Sequence, residues 1–385
     1  DVVVLVDIQG AAAVREFMPQ AISVFVAPPS EAELVRRLQK RGGDTERQVE
    51  ARISTAREEM SHLEEFDYLV INHQRRLDEA VEQGFCAALV PEELDGCGLD
   101  IYTYMLMLEE VARADMSTAL ILSVHNSLVL KPLIDHGTED QRERYMEALS
   151  FGEMIGAFAL TEPGAGSDAA ALSTTAALDG DDYLLNGTKV WVSNGEVAGL
   201  ILTFARAEGG VTAFLVETGT PGLKVGYREK TLGLRGVPCN TLYFDNARVP
   251  VANRLGEEGQ GFRIALQALT LSRLGIGALA LGGAERALEE AVQYSMEHIQ
   301  FGVPIAQKQA IQNYVADAKA QIEALRCSVT YAAWLADTNQ DFRLQASAVK
   351  LFGTRAATEI TDKMLQVHGG YGYMKEYAIE RYYRD

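Results

Sequence analysis

The 385 residues are 48% hydrophobic and 23% charged, long enough for two or three packed domains and too apolar for a disordered chain. Lys and Arg number 35 against 54 Asp and Glu, a formal net charge of −19, which excludes a chain built to neutralise nucleic-acid phosphates. Cys86, Cys97, Cys239 and Cys327 are too widely spaced for a C-x-x-C site and too few for a disulfide framework, so a reducing, cytoplasmic setting is expected. The 6 histidines include no H-x-x-x-H pair, and no metal is expected. No uninterrupted apolar run approaches bilayer length, and DVVVLVDIQG has no basic region ahead of an apolar stretch, so neither a membrane partner nor a targeting segment is expected. Asp1 opens the chain inside a strand-like run, and further residues upstream are expected.

In chain order, residues 1–83 read as an α/β segment. Runs at Val2–Val6, Ile22–Val26 and Tyr68–Ile71 are short and β-branched, with helical stretches between them, as parallel strands joined by crossovers are. Ser30 and Glu33 spell a helix capping box. Residues 84–155 turn helical, with apolar residues at helical spacing over Tyr102–Ala112 and Thr118–Leu133. Residues 156–250 switch to period two, and Asn186-Gly187 between Tyr183–Leu185 and Lys189–Val192 predicts a hairpin turn. Residues 251–385 return to helical period over Phe262–Met296, Gln309–Ala336 and Phe342–Val367. The expected fold class is therefore multidomain α+β: a partial α/β segment, a helical layer, a β-barrel or sandwich, and an antiparallel helical bundle.

Two features point to chemistry. Phe158 to Asp168 runs from a strand into small residues, so backbone N–H groups stand clear of side chains and a planar ring or phosphate can approach closely. Gly164-x-Gly166-x-x-Ala169 spells a dinucleotide fingerprint, but no βαβ unit surrounds it and a Rossmann site is rejected. Arg273 lies four residues after Leu269 and three before Ile276, on the apolar stripe of a helix, where an unpaired charge is costly. It calls for an anionic or carbonyl partner, or else snorkels from the helix edge.

Four motifs in order, Ala159-Leu160-Thr161-Glu162-Pro163-Gly164-Ala165-Gly166-Ser167-Asp168, Lys189-Val190-Trp191-Val192-Ser193-Asn194-Gly195, Leu255-Gly256-x-x-Gly259-x-Gly261-Phe262 and Gln366-Val367-His368-Gly369-Gly370-Tyr371-Gly372, resemble acyl-CoA dehydrogenases from about Gly84 to Asp385. Residues 1–80 resemble the C-terminal half of guanylate kinase, through Val6-Asp7-Ile8-Gln9-Gly10, Phe25-Val26-Ala27-Pro28-Pro29-Ser30 and Arg37-Leu38-Gln39-Lys40-Arg41-Gly42. That second resemblance implies phosphate contacts from Arg37, Arg41 and Arg52, although no G-x-x-x-x-G-K-[ST] loop occurs in the chain.

The first resemblance implies FAD, an acyl-CoA thioester substrate, an electron-transferring flavoprotein as acceptor, a homodimer or homotetramer, and a place in fatty-acid β-oxidation. Carried over, Phe158, Leu160, Thr161, Trp191, Val192 and Ser193 lie at the flavin, with Gly166 and Ser167 at the pyrophosphate and pantetheine approach. Arg273 lies beside the substrate, and Phe301, Gln309, Gln366, Gly369 and Gly370 serve the adenine end of a second subunit's FAD. His298 stands where the family has an Arg that meets FAD phosphate, which implies weaker cofactor binding. The family's base is a Glu that removes the substrate α-proton. It is expected beyond Asp385, and the alternative position holds Ser272, so no catalytic residue is assigned and activity is expected to be impaired. From another class, a guanylate-kinase-like interaction module on a silent scaffold is the competing reading.

Overall fold

The computed structural model describes Val24–Ala27, Tyr68–Ile71 and residues 75–385. The chain divides into two compact units, Asp1–Glu79 and Ala80–Asp385, a boundary four residues earlier than the texture of the sequence suggests. In the first unit β1 (Val24–Ala27) pairs in parallel with β2 (Tyr68–Ile71), in the register Val24 to Tyr68, as the β-branched runs predict. Arg37, Arg41, Arg52, the Val2–Val6 run and the Ser30 capping box lie outside the described residues.

A helix, α1 (Arg75–Glu82), leads toward the helical layer, whose first long helix is α2 (Ile101–Ala114). Asp100 caps α2 by accepting from the Thr103 N–H, and Asp337 accepts from the exposed Ile101 and Tyr102 N–H groups at 2.7 and 3.0 Å. The expected helix over Thr118–Leu133 is broken into α3 (Met116–Ser123), a π-helical stretch Val124–Leu130, and α4 (Lys131–His136). Lys131 N–H reaches back five residues to the Asn126 carbonyl, and Pro132, with no N–H of its own, follows at once. Inside the wide turn His125 Nδ1 accepts the Gly156 N–H at 2.9 Å and its other nitrogen donates to the Leu149 carbonyl at 3.1 Å. Burial holds the His125 pKa at about 4, so the ring is a neutral clasp between the π stretch and the next strand.

After α5 (Glu139–Ser150) come β3 (Ile155–Ala159), β4 (Thr175–Asp179), β5 (Asp182–Ser193), β6 (Ala198–Ala207), β7 (Gly210–Glu217), β8 (Leu223–Arg228), β9 (Cys239–Pro250) and β10 (Arg254–Leu255). They make one eight-stranded sheet in the order β10-β7-β6-β4-β5-β9-β8, with β3 parallel to β6. Alternate residues of β6 feed two cores. Leu200, Leu202 and Phe204 pack with the helical layer, while Ile201, Ala205 and Ala207 pack on the other face. The Asn186-Gly187 pair is not a hairpin turn. It lies within the continuous β5, at a register shift against β9, and the turn falls at Gly180 and Asp181. Gly187 takes φ 154°, and a Cβ there would stand 2.8 Å from the Thr174 Cα, so close backbone approach is what the glycine serves.

The last third matches its predicted periods: α6 (Gly261–Glu297), a short hairpin of β11 (Ile299–Gln300) and β12 (Val303–Pro304), then α7 (Gln309–Asp337), α8 (Arg343–Val367) and α9 (Ile379–Arg384). Arg326 of α7 bridges Glu109 of α2 and Glu285 of α6 at 2.5 and 2.6 Å, fixing three helices at one point. Two helical stretches, Met116–His136 and Gly261–Glu297, are long and apolar enough to cross a membrane; 78% and 67% of their most apolar windows are buried inside the fold, as in core helices of a globular protein.

Candidate active site

The loop after β3 is held by a buried ion pair. Lys189 of β5 has no exposed surface and donates to Glu162 Oε1 at 2.7 Å and to the Leu160 carbonyl at 3.1 Å. The other Glu162 contacts come from the Thr174 N–H at 2.9 Å, the Ser173 N–H at 2.6 Å and the Ser173 hydroxyl at 2.7 Å. Burial alone would raise the Glu162 pKa, but these donors outweigh it and hold the carboxyl at about 2. Burial lowers the Lys189 ammonium to about 8 against the pull of Glu162, so both charges stand at neutral pH. A tight turn closes on itself through Glu162 and Ala165, and Val190 N–H donates to the Thr161 carbonyl at 2.9 Å. The backbone from Thr161 to Ser173 is thereby fixed against β5.

Trp191 follows from the same strand. The β5–β9 register shifts between Lys189 and Val192, and Trp191 sits in that bulge with φ 56° and 66% of its surface exposed. A non-glycine residue in the left-handed region is strained, and the bulge turns the indole out of the sheet alternation toward the loop. Asn194, also at positive φ, is fully buried and donates to the Gly156 and Ile121 carbonyls at 3.0 and 3.3 Å, tying the end of β5 to β3 and α3.

Together these segments wall a cavity of about 450 Å³. Phe158, Leu160, Thr161, Gly166, Ser167, Trp191, Ser193 and Arg273, all singled out from sequence, line it, with Val124 and Leu128 of the π stretch and Leu266 and Leu269 of α6. No atom comes within 4 Å of a Cβ built on Gly164 or Gly166, so open space stands directly over that backbone. A planar tricyclic ring between an exposed indole and bare peptide N–H groups fits this cradle. Arg273 is half-buried and makes no hydrogen bond or ion pair with any described residue, so its guanidinium is free to meet a carbonyl or an anion.

Other sites assigned from sequence fall elsewhere. Val192 is 1% exposed and packs its side chain in the sheet's far core, as strand alternation after the bulge requires, and it does not line the cavity. Ser272 is half-buried and does not line the cavity. His298, Phe301, Gln309, Gln366, Gly369 and Gly370 gather at the opposite end of the bundle. There Tyr294 stacks on His298 at 4.9 Å and on His368 at 4.4 Å. Phe301 is 93% exposed at φ 54° on the β11–β12 turn, and Gln309, Gln366, Gly369 and Gly370 are exposed as well. Sequence reasoning passed over Glu162 and Lys189 as site residues. Their signal was a carboxylate and an amine inside the two most informative motifs, with no solvent-facing task for either.

Three family models match: acyl-CoA dehydrogenase N-terminal domain over 44–153, middle domain over 157–247 and C-terminal domain over 259–385. A guanylate kinase model matches residues 1–84. An acyl-CoA dehydrogenase of Bacillus subtilis is 42% identical over 86% of this chain and 88% of its own. The short-chain specific acyl-CoA dehydrogenase of Bos taurus mitochondria is 43% identical over 79% of this chain and 75% of its own. Butyryl-CoA dehydrogenase from Megasphaera elsdenii superposes with a TM-score of 0.78 at 39% identity, covering 80% of this chain and 83% of that one. The chain belongs to the acyl-CoA dehydrogenase family, oxidoreductases that act on CH–CH donors with FAD as cofactor.

Proposed function

We propose that the cavity between the Thr161 loop, Trp191 and α6 holds the flavin ring of FAD against the thioester end of a short acyl-CoA, for α,β-dehydrogenation. The observation that carries this reading is the free Arg273 guanidinium in a cavity walled by bare loop backbone and Trp191. FAD supplies the hydride acceptor. The chain's residues position: the Glu162–Lys189 pair fixes the loop, Trp191 covers the ring, Ser167 and Arg273 meet the thioester and pantetheine, and Val124, Leu128 and Leu269 exclude water. Relatives named for short-chain and butyryl substrates support a short acyl group.

For these 385 residues the α-proton has a poor acceptor. Asp168, on the glycine loop, is the one carboxylate among the described residues that line the cavity. Glu380 is spent on Arg384 at 2.6 and 2.9 Å. We therefore propose that this chain binds FAD and thioester but turns over slowly. The exposed Phe301 hairpin and Gly369–Gly370 surface support a homo-oligomer in which one subunit completes another's FAD site, and an electron-transferring flavoprotein is the proposed acceptor. The free cysteines Cys86, Cys97, Cys239 and Cys327 support a reducing, cytoplasmic setting. Dialysis against FAD or NAD, followed by absorbance, tests the cofactor. Retained flavin colour supports the reading; retained NAD with no flavin bound refutes it.

A further inference from the structure

A cavity of about 450 Å³ is too small for a flavin ring and a whole coenzyme A together, so the nucleotide end of a bound thioester must lie outside its mouth. Exposure locates that mouth. Val124, Leu128 and Leu160 are buried on the inner wall, whereas Gly166, Ser167, Asp168 and Ala170 of the glycine loop are exposed on the rim. Glu162 ties the two ends of the loop together, but between Gly166 and Leu172 one side chain from elsewhere in the fold hydrogen-bonds to it among the described residues. That side chain is Arg206, near the end of β6, whose Nη2 donates to the Ala170 carbonyl at 2.8 Å and to the Leu172 carbonyl at 3.3 Å.

Those two bonds occupy one nitrogen of the guanidinium. Nη1 and Nε make no hydrogen bond, and no carboxylate pairs with Arg206, among the described residues. The residue is exposed, so a cation with spare donors stands beside the rim, held there by two backbone carbonyls. A chain of net charge −19 repels a ligand that carries several phosphate charges, and Asp168 on the same rim adds to the repulsion. Arg206 offsets both, and its planar fork matches phosphate oxygens. We propose, resting on the acyl-CoA reading above, that Arg206 is a specificity-determining residue: it meets a phosphate of coenzyme A at the cavity mouth, so that the site selects CoA thioesters over thioesters of the bare pantetheine arm.

Calorimetric titration of butyryl-CoA and of butyryl-pantetheine into the full 385-residue protein, saturated with FAD, tests the proposal by heat and not by turnover. The wild type should bind butyryl-CoA more tightly than butyryl-pantetheine. Arg206→Gln should lower that ratio about threefold or more, while Arg206→Lys, which keeps the charge, should hold it within about twofold. Raising salt from about 20 mM to about 0.3 M should shrink the ratio in wild type and leave it unchanged in Arg206→Gln, because an exposed charge contact is screened. Equal weakening of both ligands in Arg206→Gln would make Arg206 a clamp on the loop alone and overturn the proposal. So would a wild type without preference, or a loss in Arg206→Lys as large as in Arg206→Gln. Binding of butyryl-pantetheine with an unchanged ratio overturns this role of Arg206 and leaves the proposed function standing, whereas binding of neither thioester overturns both.

Discussion

Replacing Lys189 by Met tests whether the loop over the flavin site is held by the buried ion pair. Met keeps the length of the side chain and removes the ammonium, leaving a Glu162 carboxylate whose side chain is 2% exposed beside a side chain with no exposure at all. Breaking a buried pair from one side costs about 3–5 kcal/mol. The wild-type carboxyl gives a figure for all its donors together, Lys189, Ser173 and Thr174. Its pKa stands at about 2 against an ordinary 4.5, worth roughly 3 kcal/mol at 1.36 per unit. Because the folded value is depressed, that stability is fully present above about pH 4.5 and is lost as pH falls toward 2. Urea unfolding of both proteins between pH 7 and pH 3 is the assay. Lys189→Met should be less stable by several kcal/mol at pH 7 and should show a shallower loss of stability on acidification. A difference below about 1 kcal/mol at pH 7, with the same acid slope as wild type, would refute the reasoning.

Trp191→Gly relieves a strained φ of 56°, so stability should rise by up to about 1 kcal/mol while FAD binding weakens at least tenfold, as urea unfolding and flavin titration would show. Replacing His298 by Arg adds a guanidinium where a half-buried imidazole now stacks on Tyr294, and the FAD dissociation constant should fall about tenfold or more; equal constants would place the phosphate elsewhere. Leu120 and Ile276 line a further cavity of about 240 Å³, and Leu120 also packs against the Val124–Leu128 cluster beside the first cavity. Truncating both to Ala should join the two spaces and shift binding preference toward octanoyl-CoA over butyryl-CoA by at least tenfold, read by perturbation of flavin absorbance.

The helices were legible because their apolar stripes persist over many turns. α6, α7 and α8 each begin and end within one residue of the periodic segments at Phe262, Gln309 and Phe342. Local punctuation misled where tertiary pairing overrode it. Asn186-Gly187 has the composition of a turn, but β9 continues alongside it and the Asn186 and Asn246 side chains bond across, so the strand runs on. The π stretch was hidden because Val124–Leu130 has ordinary helical residues, and its widening depends on His125 meeting Gly156 from a distant strand. At the site, the small-residue loop and Arg273 were legible from local pattern, whereas Phe158, Leu160, Thr161, Trp191 and Ser193 were named through the resemblance carried by the four ordered motifs. The Glu162–Lys189 pair was not, since its meaning lies in the loop after β3 meeting β5, which brings the ammonium and carboxylate to 2.7 Å. Of the apolar positions on α8, Leu344 and Leu351 are 76% and 52% exposed whereas Met364 is fully buried, a split that no spacing in the sequence distinguishes.

Anaerobic mixing of the FAD-loaded chain with butyryl-CoA, followed by flavin absorbance in a stopped-flow instrument, tests the central claim most directly. The account predicts a rapid, saturable shift of the flavin bands as the thioester seats beside Trp191 and Arg273, followed by bleaching some 10²–10⁴-fold slower than in a relative with its base in place, the typical contribution of a general base. No shift at any thioester concentration, or bleaching as fast as in such a relative, would contradict it.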